Sequence, residues 1–219
     1  FAISAEDQQQ TQRAGFDNRL STPAIKTHAG IPESKNYKFV LNTEVPTDNN
    51  IIFYAHSILN HRDSKASAFF RPSTADASVV SLYPNGFLPI INAKILDYSI
   101  VLGATGEFTN GITWDLSNTY GYNNIDYYVN DSMNYSLGAN SPTSFYNGSL
   151  SFIQNTTNFD LTKKIDKFSI ATGLEYRYEN YKIKAGDVAS YTGSFSPGFA
   201  GYGAEYETDS SSDNYSLYL

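Results

Sequence analysis

The sequence is 219 residues long, enough for one ordinary all-β domain or two small ones. It carries 18 Tyr and 14 Phe but only 17% charged residues, so its polarity comes from Asn, Ser and Thr, a mix that favours strands over helices. A net charge of -7 argues against nucleic acid as a partner, and the absence of Cys excludes a disulfide framework, a thiolate metal site and a cysteine nucleophile.

The chain opens "FAISAEDQQQ", with no initiator Met and no signal-type apolar run, and closes "DNYSLYL" part-way through an alternating pattern. Both ends read as cuts in a larger protein. Between them the recurring period is two. In "YKFVLNTEV" (37–45), Phe39, Leu41, Thr43 and Val45 share a face opposite Lys38, Asn42 and Glu44. "DYSIVLGATGEF" (97–108) sets Tyr98, Ile100, Leu102, Ala104 and Phe108 against Ser99, Gly103, Thr105 and Glu107. "WDLSNTYGYNN" (114–124) sets Trp114, Leu116, Tyr120 and Tyr122 against Asp115, Ser117, Thr119 and Gly121. "KFSIATGLEYRYENY" (167–181) sets Phe168, Ile170, Leu174, Tyr176 and Tyr178 against Ser169, Ala171, Gly173, Glu175, Arg177 and Glu179.

The gaps alternate in length. "PTDNN" (46–50), "TNG" (109–111) and "KKID" (163–166) have the composition of tight hairpin turns, whereas 10–35, 63–95, 135–147 and 185–213 are long. A sandwich has no reason to sort loop lengths onto alternate ends, but a transmembrane β-barrel does. The expected fold is therefore all-β: a partial, antiparallel, up-and-down transmembrane barrel forming an open curved sheet of about eight strands. The strands are expected near 1–9, 36–45, 51–62, 97–108, 112–133, 149–163, 167–184 and 214–219. Phe39, Leu41, Phe53, Ile100, Leu102, Trp114, Leu116, Phe168, Ile170 and Leu174 would face lipid. Glu44, Glu107, Asp115, Glu175, Arg177 and Glu179 would face a wet lumen. Secreted sandwiches and jelly rolls share the alternation, and a dry core between two sheets would favour them.

Catalytic signals are absent. His56 and His61 sit an odd number of positions apart on one strand, His28 stands alone in a loop, and no HExxH, GxSxG or Walker pattern occurs. The neighbouring carboxylates Glu6 and Asp7 fall on opposite strand faces. No enzyme, metal site or cofactor is indicated. Five Asn-x-Ser/Thr sequons, at Asn130, Asn134, Asn147, Asn155 and Asn214, are the chance matches expected of this composition.

The long loops hold the candidate binding chemistry. "SLYPNGFLPI" (81–90) has two prolines and an Asn-Gly pair, so it reads as loop despite its apolar content. With Phe69, Phe70 and Arg71 just before it, this loop supplies Arg71, Tyr83 and Phe87 as candidate ligand contacts: a cation for an anionic group and rings to stack on. Phe145 and Tyr146, and the aromatics within 189–203 (Tyr191, Phe195, Phe199, Tyr202), join them. The plainer role for any one of these is packing loop on loop. Residues 63–95 are expected to form the largest excursion.

"SLGANSPTSFYNGSLSF" and "GLEYRYENYKIKAGDVASYTG", with the earlier "HRDSKASAFFRPS", "LYPNGFLPIIN", "DYSIVLGATGEF" and "WDLSNTYGYN", resemble the barrel of a group of TonB-dependent receptors, in order along nearly the whole chain. The resemblance implies an importer in the outer membrane of a Gram-negative bacterium, with a plugged barrel of roughly 22 strands. It implies a ferric siderophore, cobalamin or glycan as extracellular ligand, outer-membrane lipid around the wall, and energy from the TonB complex. The plug and TonB box of that family are missing from this stretch, so residues 1–219 would be one fragment of the barrel domain. The other class to weigh is a surface adhesin or secreted glycan-binding β-domain without transport.

Overall fold

The computed structural model describes residues 1–193 and 198–219. Eight antiparallel strands form one sheet in simple chain order: β1 (Ala2–Gln8), β2 (Glu33–Pro46), β3 (Ile52–Ser67), β4 (Ile90–Glu107), β5 (Ile112–Asn130), β6 (Phe145–Ile165), β7 (Phe168–Lys184) and β8 (Thr208–Tyr218). The sheet is not closed: β1 and β8 each pair with one neighbour and form its two edges. Two four-residue helices, α1 (Val79–Leu82) and α2 (Val188–Tyr191), lie in the long connections.

Register explains the two faces. Antiparallel partners point the same way, and the rows run across the sheet as Val45–Phe53–Ala104–Leu116–Phe159–Leu174–Leu217 and Phe39–Leu59–Tyr98–Tyr122–Ile153. All ten residues expected on the apolar face share this side of the sheet. The six charged residues expected opposite share the other side, with Tyr54, His56, Asp97, Asn123 and Asp160. His56 and His61 point to opposite faces, as strand parity requires.

The apolar face is bare. Phe53 is 52% exposed, Leu102 58% and Phe168 76%, and among the described residues no second sheet covers them. Among the described residues the buried apolar side chains, Phe70, Val79, Phe87, Pro89, Val129, Met133 and Phe145, all lie in the long connections or the strand ends beside them. A dry core between two sheets, as a sandwich requires, is not how these strands are arranged.

The tight turns gather at one end. Each uses a residue that tolerates a left-handed backbone: Asn50 (φ 58), Gly111 (φ 74) and Asp166 (φ 50). The long connections, 9–32, 68–89, 131–144 and 185–207, gather at the other.

Several expected boundaries are corrected. Most strands are longer than the roughly ten residues a bilayer crossing needs, with β6 reaching 21, although β1 has only 7 and β5 ends at Asn130 rather than at 133. The additional length lies at the loop end, where β3 runs on through "DSKAS", β4 starts at Ile90 rather than 97, and β8 starts at Thr208 rather than 214. There the two faces no longer separate apolar from polar residues, so the period-two signal fades while backbone pairing continues. Residues 81–90 are not all loop: Ser81 and Leu82 finish α1 and Ile90 opens β4. The longest connection is 9–32, not the one inside 63–95, because β3 and β4 take up both ends of that segment.

Candidate functional site

Four connections interlock into a cap over the loop end. Arg71 and Phe87 pair backbone to backbone, N–H to carbonyl in both directions at 2.8 and 2.9 Å, which closes 71–87 into a compact excursion. Within it the Tyr83 and Phe87 rings stack at 4.6 Å, and Tyr135 of the next connection meets Phe87 edge-on at 6.4 Å. Val79, Phe87 and Met133 form a small apolar core joined by Leu82, Tyr83 and Tyr135.

Polar groups tie the remaining connections in. The Tyr83 hydroxyl donates to the Ser132 carbonyl at 3.1 Å. Asn134, fully buried, donates from Nδ2 to the carbonyls of Ala189 and Thr192 at 2.9 and 2.6 Å and accepts from the Ser136 N–H at 2.9 Å. Asn147, also fully buried, donates to the Phe199 carbonyl at 2.5 Å. The first connection joins through Arg19, which donates to the Phe70 carbonyl at 3.1 Å, and through His28, whose carbonyl accepts from the Ser67 hydroxyl at 2.8 Å.

The three candidate contacts from the sequence are thus brought together, with unequal access. Phe87 is 4% exposed and enclosed by rings, which is the packing role. Tyr83 and Arg71 are half-buried at its rim. Burial pushes the Tyr83 phenol up from its ordinary value, with Asp131 adding to the shift, so it remains a neutral donor at physiological pH. Phe145 is buried, the Tyr146 ring lies tilted against Tyr128 at 5.2 Å, and Phe199 packs on Tyr127 at 5.0 Å; Phe195 lies outside the described residues. The sequons at Asn134 and Asn147 are structural, since both side chains are sealed inside the cap.

The polar face of the sheet carries a second arrangement, which the sequence reading missed. Asp115 and Asp160 stand directly opposite each other on β5 and β6. Like charges so placed repel. A tyrosine reaches each from two strands away: Tyr54 of β3 donates to Asp115 at 2.8 Å, and Tyr218 of β8 donates to Asp160. The intervening residues are Gly103 and Gly173, where a Cβ would run into the tyrosine ring. The pattern Tyr–Gly–Asp faces Asp–Gly–Tyr across the middle of the sheet. Its members were visible one by one, but only the register reveals them as a set. Nearer the loop end, Arg177 bonds Glu175 at 2.6 Å and lies 4.0 Å from Glu179. Among the described residues no group of His, Asp and Glu has the arrangement of a metal site.

Comparison with models of known protein families, with curated proteins and with solved structures finds no match for this chain.

Proposed function

We propose that residues 1–219 form part of the wall of an outer-membrane β-barrel, and that this barrel belongs to a TonB-dependent receptor importing a bulky ligand of the ferric siderophore, cobalamin or glycan class. The observation that carries the membrane reading is the bare apolar face on a sheet whose long and short connections are sorted to opposite ends. Such a face in water would promote association, whereas in a bilayer it is solvated. Three polar members within the apolar band support the same reading by satisfying one another. Asn118 donates to Asn155 at 3.0 Å and to Thr157 at 2.9 Å, and Asn155 returns a bond to Asn118 at 3.3 Å, so little amide polarity faces outward.

The assignment to TonB-dependent receptors rests on the sequence resemblance, and the ligand class follows from it. Under this reading the loop cap faces the cell exterior, Arg71 and Tyr83 are the ligand-contacting candidates, and Phe87 holds the loop that presents them. The partners are outer-membrane lipid, an extracellular small-molecule ligand and the TonB complex.

Topology can be tested with engineered cysteines, since this sequence has none of its own. In cells expressing the protein, a membrane-impermeant maleimide should label Thr74→Cys on intact cells. It should label Asp48→Cys only after the outer membrane is opened, and the parent protein marks the background. Equal labelling of both positions on intact cells would favour the other class, a surface adhesin or secreted glycan-binding domain.

A further inference from the structure

On the polar face of the sheet, directly below the loop cap, a strip of apolar side chains interrupts the wet wall. It begins in the cap, where Phe199 lies 5.0 Å from the Tyr127 ring and meets Tyr202 edge-on at 5.8 Å. A β-bulge sets this end. Pairing shifts between Tyr127 and Tyr128, so Asn147 is the additional residue and Gly148 stands opposite Tyr127 on this face. A Cβ on Gly148 would strike the Tyr202 ring, so the glycine lets that ring lie against the sheet. The next row toward the tight turns is Ile125–Leu150–Ile183, and the row after it pairs Phe152 with Tyr181. From Gly148 to Phe152 the strip covers about 13 Å of β6.

The lower end of the strip is open and edged with polar groups. Phe152 is 37% exposed and Tyr181 40%. In the same row as Phe152 stand Asn123 and then Asp97. The Asp97 carboxylate accepts from the Asn60 amide at 3.2 Å and from the Asn123 amide, which fixes the acid and both amides in place. One row further down come Gln154 and Glu179. Gly121, beside Gln154, leaves room in front of them: a Cβ there would meet nothing closer than the Gln154 carbonyl at 4.0 Å. Two exposed rings are thus bordered on two sides by amides and carboxylates.

This combination discriminates among ligands. An acyl chain would cover the rings but strip water from Asp97, Asn123, Gln154 and Glu179 without replacing it. An anion would meet Asp97, which among the described residues has no cation paired with it. A cation finds Asp97 already accepting two amide bonds and Glu179 within 4.0 Å of Arg177. A neutral pyranose has both parts that the strip requires. Its C–H face lies on a ring, and its rim of hydroxyls donates to carboxylates and exchanges hydrogen bonds with amides.

We propose that this strip binds neutral pyranose sugars, with Phe152 and Tyr181 as the stacking platform and Asn123 and Asp97 as hydroxyl partners. The inference rests on the reading of this face as the wet lumen of a barrel, and it narrows the ligand of that reading to the glycan class. The site is separate from Arg71 and Tyr83. A glycan entering at the loop end meets Tyr202 first and passes Leu150 and Ile183 before it reaches the platform.

The test uses the full-length protein reconstituted into phosphatidylcholine vesicles, probed with an array of neutral gluco-, manno- and xylo-oligosaccharides. Parent protein should bind at least one of them, and titration with the tightest gives its affinity. Phe152→Ala and Tyr181→Ala should each weaken that affinity about tenfold, and Asn123→Ala by a similar factor. Phe152→Leu, which keeps an apolar side chain without a ring, should weaken it as Ala does, and Phe152→Trp should keep it. Ile153→Ala, on the opposite face, should leave it unchanged. Insertion, read by vesicle flotation, should be the same for all variants. Failure of the parent to insert would sink the membrane reading itself. Normal insertion with no sugar bound, or binding that survives Phe152→Leu with Tyr181→Ala, would overturn the proposal alone. Binding confined to amino sugars and abolished by about 0.5 M salt would identify a cation site and would likewise overturn it.

Discussion

The Tyr54 hydroxyl reaches Asp115, two strands away, by lying across the bare backbone of Gly103. The three residues form one brace, since the glycine makes room for the ring and the carboxylate holds its end. Substituting Gly103→Ala places a methyl group where the ring lies, so either the ring leaves Asp115 or the strands separate. Overpacking of this kind costs about 1–3 kcal/mol. Tyr54→Phe, which removes one bond while keeping the ring, should cost about 1–2 kcal/mol. Urea unfolding of the folded protein measures both. In the double variant the costs should fall short of additive, and strict additivity would mean that Gly103 and Tyr54 act independently.

Neighbouring positions on β4 separate the two faces. Leu102 is on the apolar face and Val101 on the polar one. In a bilayer, Leu102→Lys should destabilise the assembled protein by about 2–4 kcal/mol near mid-membrane, while Val101→Lys should cost little. Refolding titrations into lipid vesicles report the difference. Equal effects at the two positions would be incompatible with lipid on one side and water on the other.

Strand order, facing and the sorting of turns were legible because they follow from a period of two and from turn chemistry, both local. Phe168 through Tyr178 gives its orientation without any partner. What was illegible depends on register. Tyr54 and Tyr218 are ordinary strand tyrosines until pairing sets Gly103 and Gly173 beside them. Tyr146 would have been assigned to the wrong face, because one bulge at Asn147 reverses parity. The strand extensions at the loop end lack hydrophobic alternation, so "TDSSSD" gives no strand signal although its backbone pairs with β7. In the loop cap, Phe87 and Tyr83 look alike in sequence, and only packing separates the buried ring from the half-exposed one.

That separation refines the mutational test of the candidate ligand site. Phe87→Ala should loosen the whole cap, costing about 3–5 kcal/mol locally for a buried aromatic, and should raise protease cleavage within 68–89 and 131–144. Arg71→Ala with Tyr83→Phe should leave cleavage nearly unchanged while weakening ligand uptake in the intact protein. Unchanged uptake in that pair would return both residues to loop packing.

Asn134 is the polar counterpart of Phe87. Its carboxamide joins 131–144 to α2 through two donated bonds, with the side chain wholly out of water. Asn134→Ala removes two part-buried hydrogen bonds, at about 1 kcal/mol each. Amide hydrogen exchange should accelerate around 188–192 and in 134–141, with the tight turns at the far end unaffected. Uniform acceleration across the sheet would show that the cap and the wall unfold together.

The first connection should detach in acid within a defined range. The Asp17 carboxylate accepts from the Arg19 guanidinium at 2.6 and 2.9 Å and from the Arg19 N–H at 3.0 Å, and these bonds hold its pKa at about 2, below the ordinary 3.8. Arg19 in turn donates to Phe70 in the next connection, so the carboxylate orients the residue that links the two. A depressed carboxyl pKa contributes stability that is complete above the unfolded value and is lost as pH falls through the folded one. The contact should therefore be intact at pH 5, weaken below about 3.8, and be largely gone by about pH 2. Hydrogen exchange of 17–24, compared with Asp17→Asn at each pH, follows the change. The variant should show the loosened state at pH 5 already, and a loop that opens at the same pH with or without the carboxylate would assign the link to other contacts.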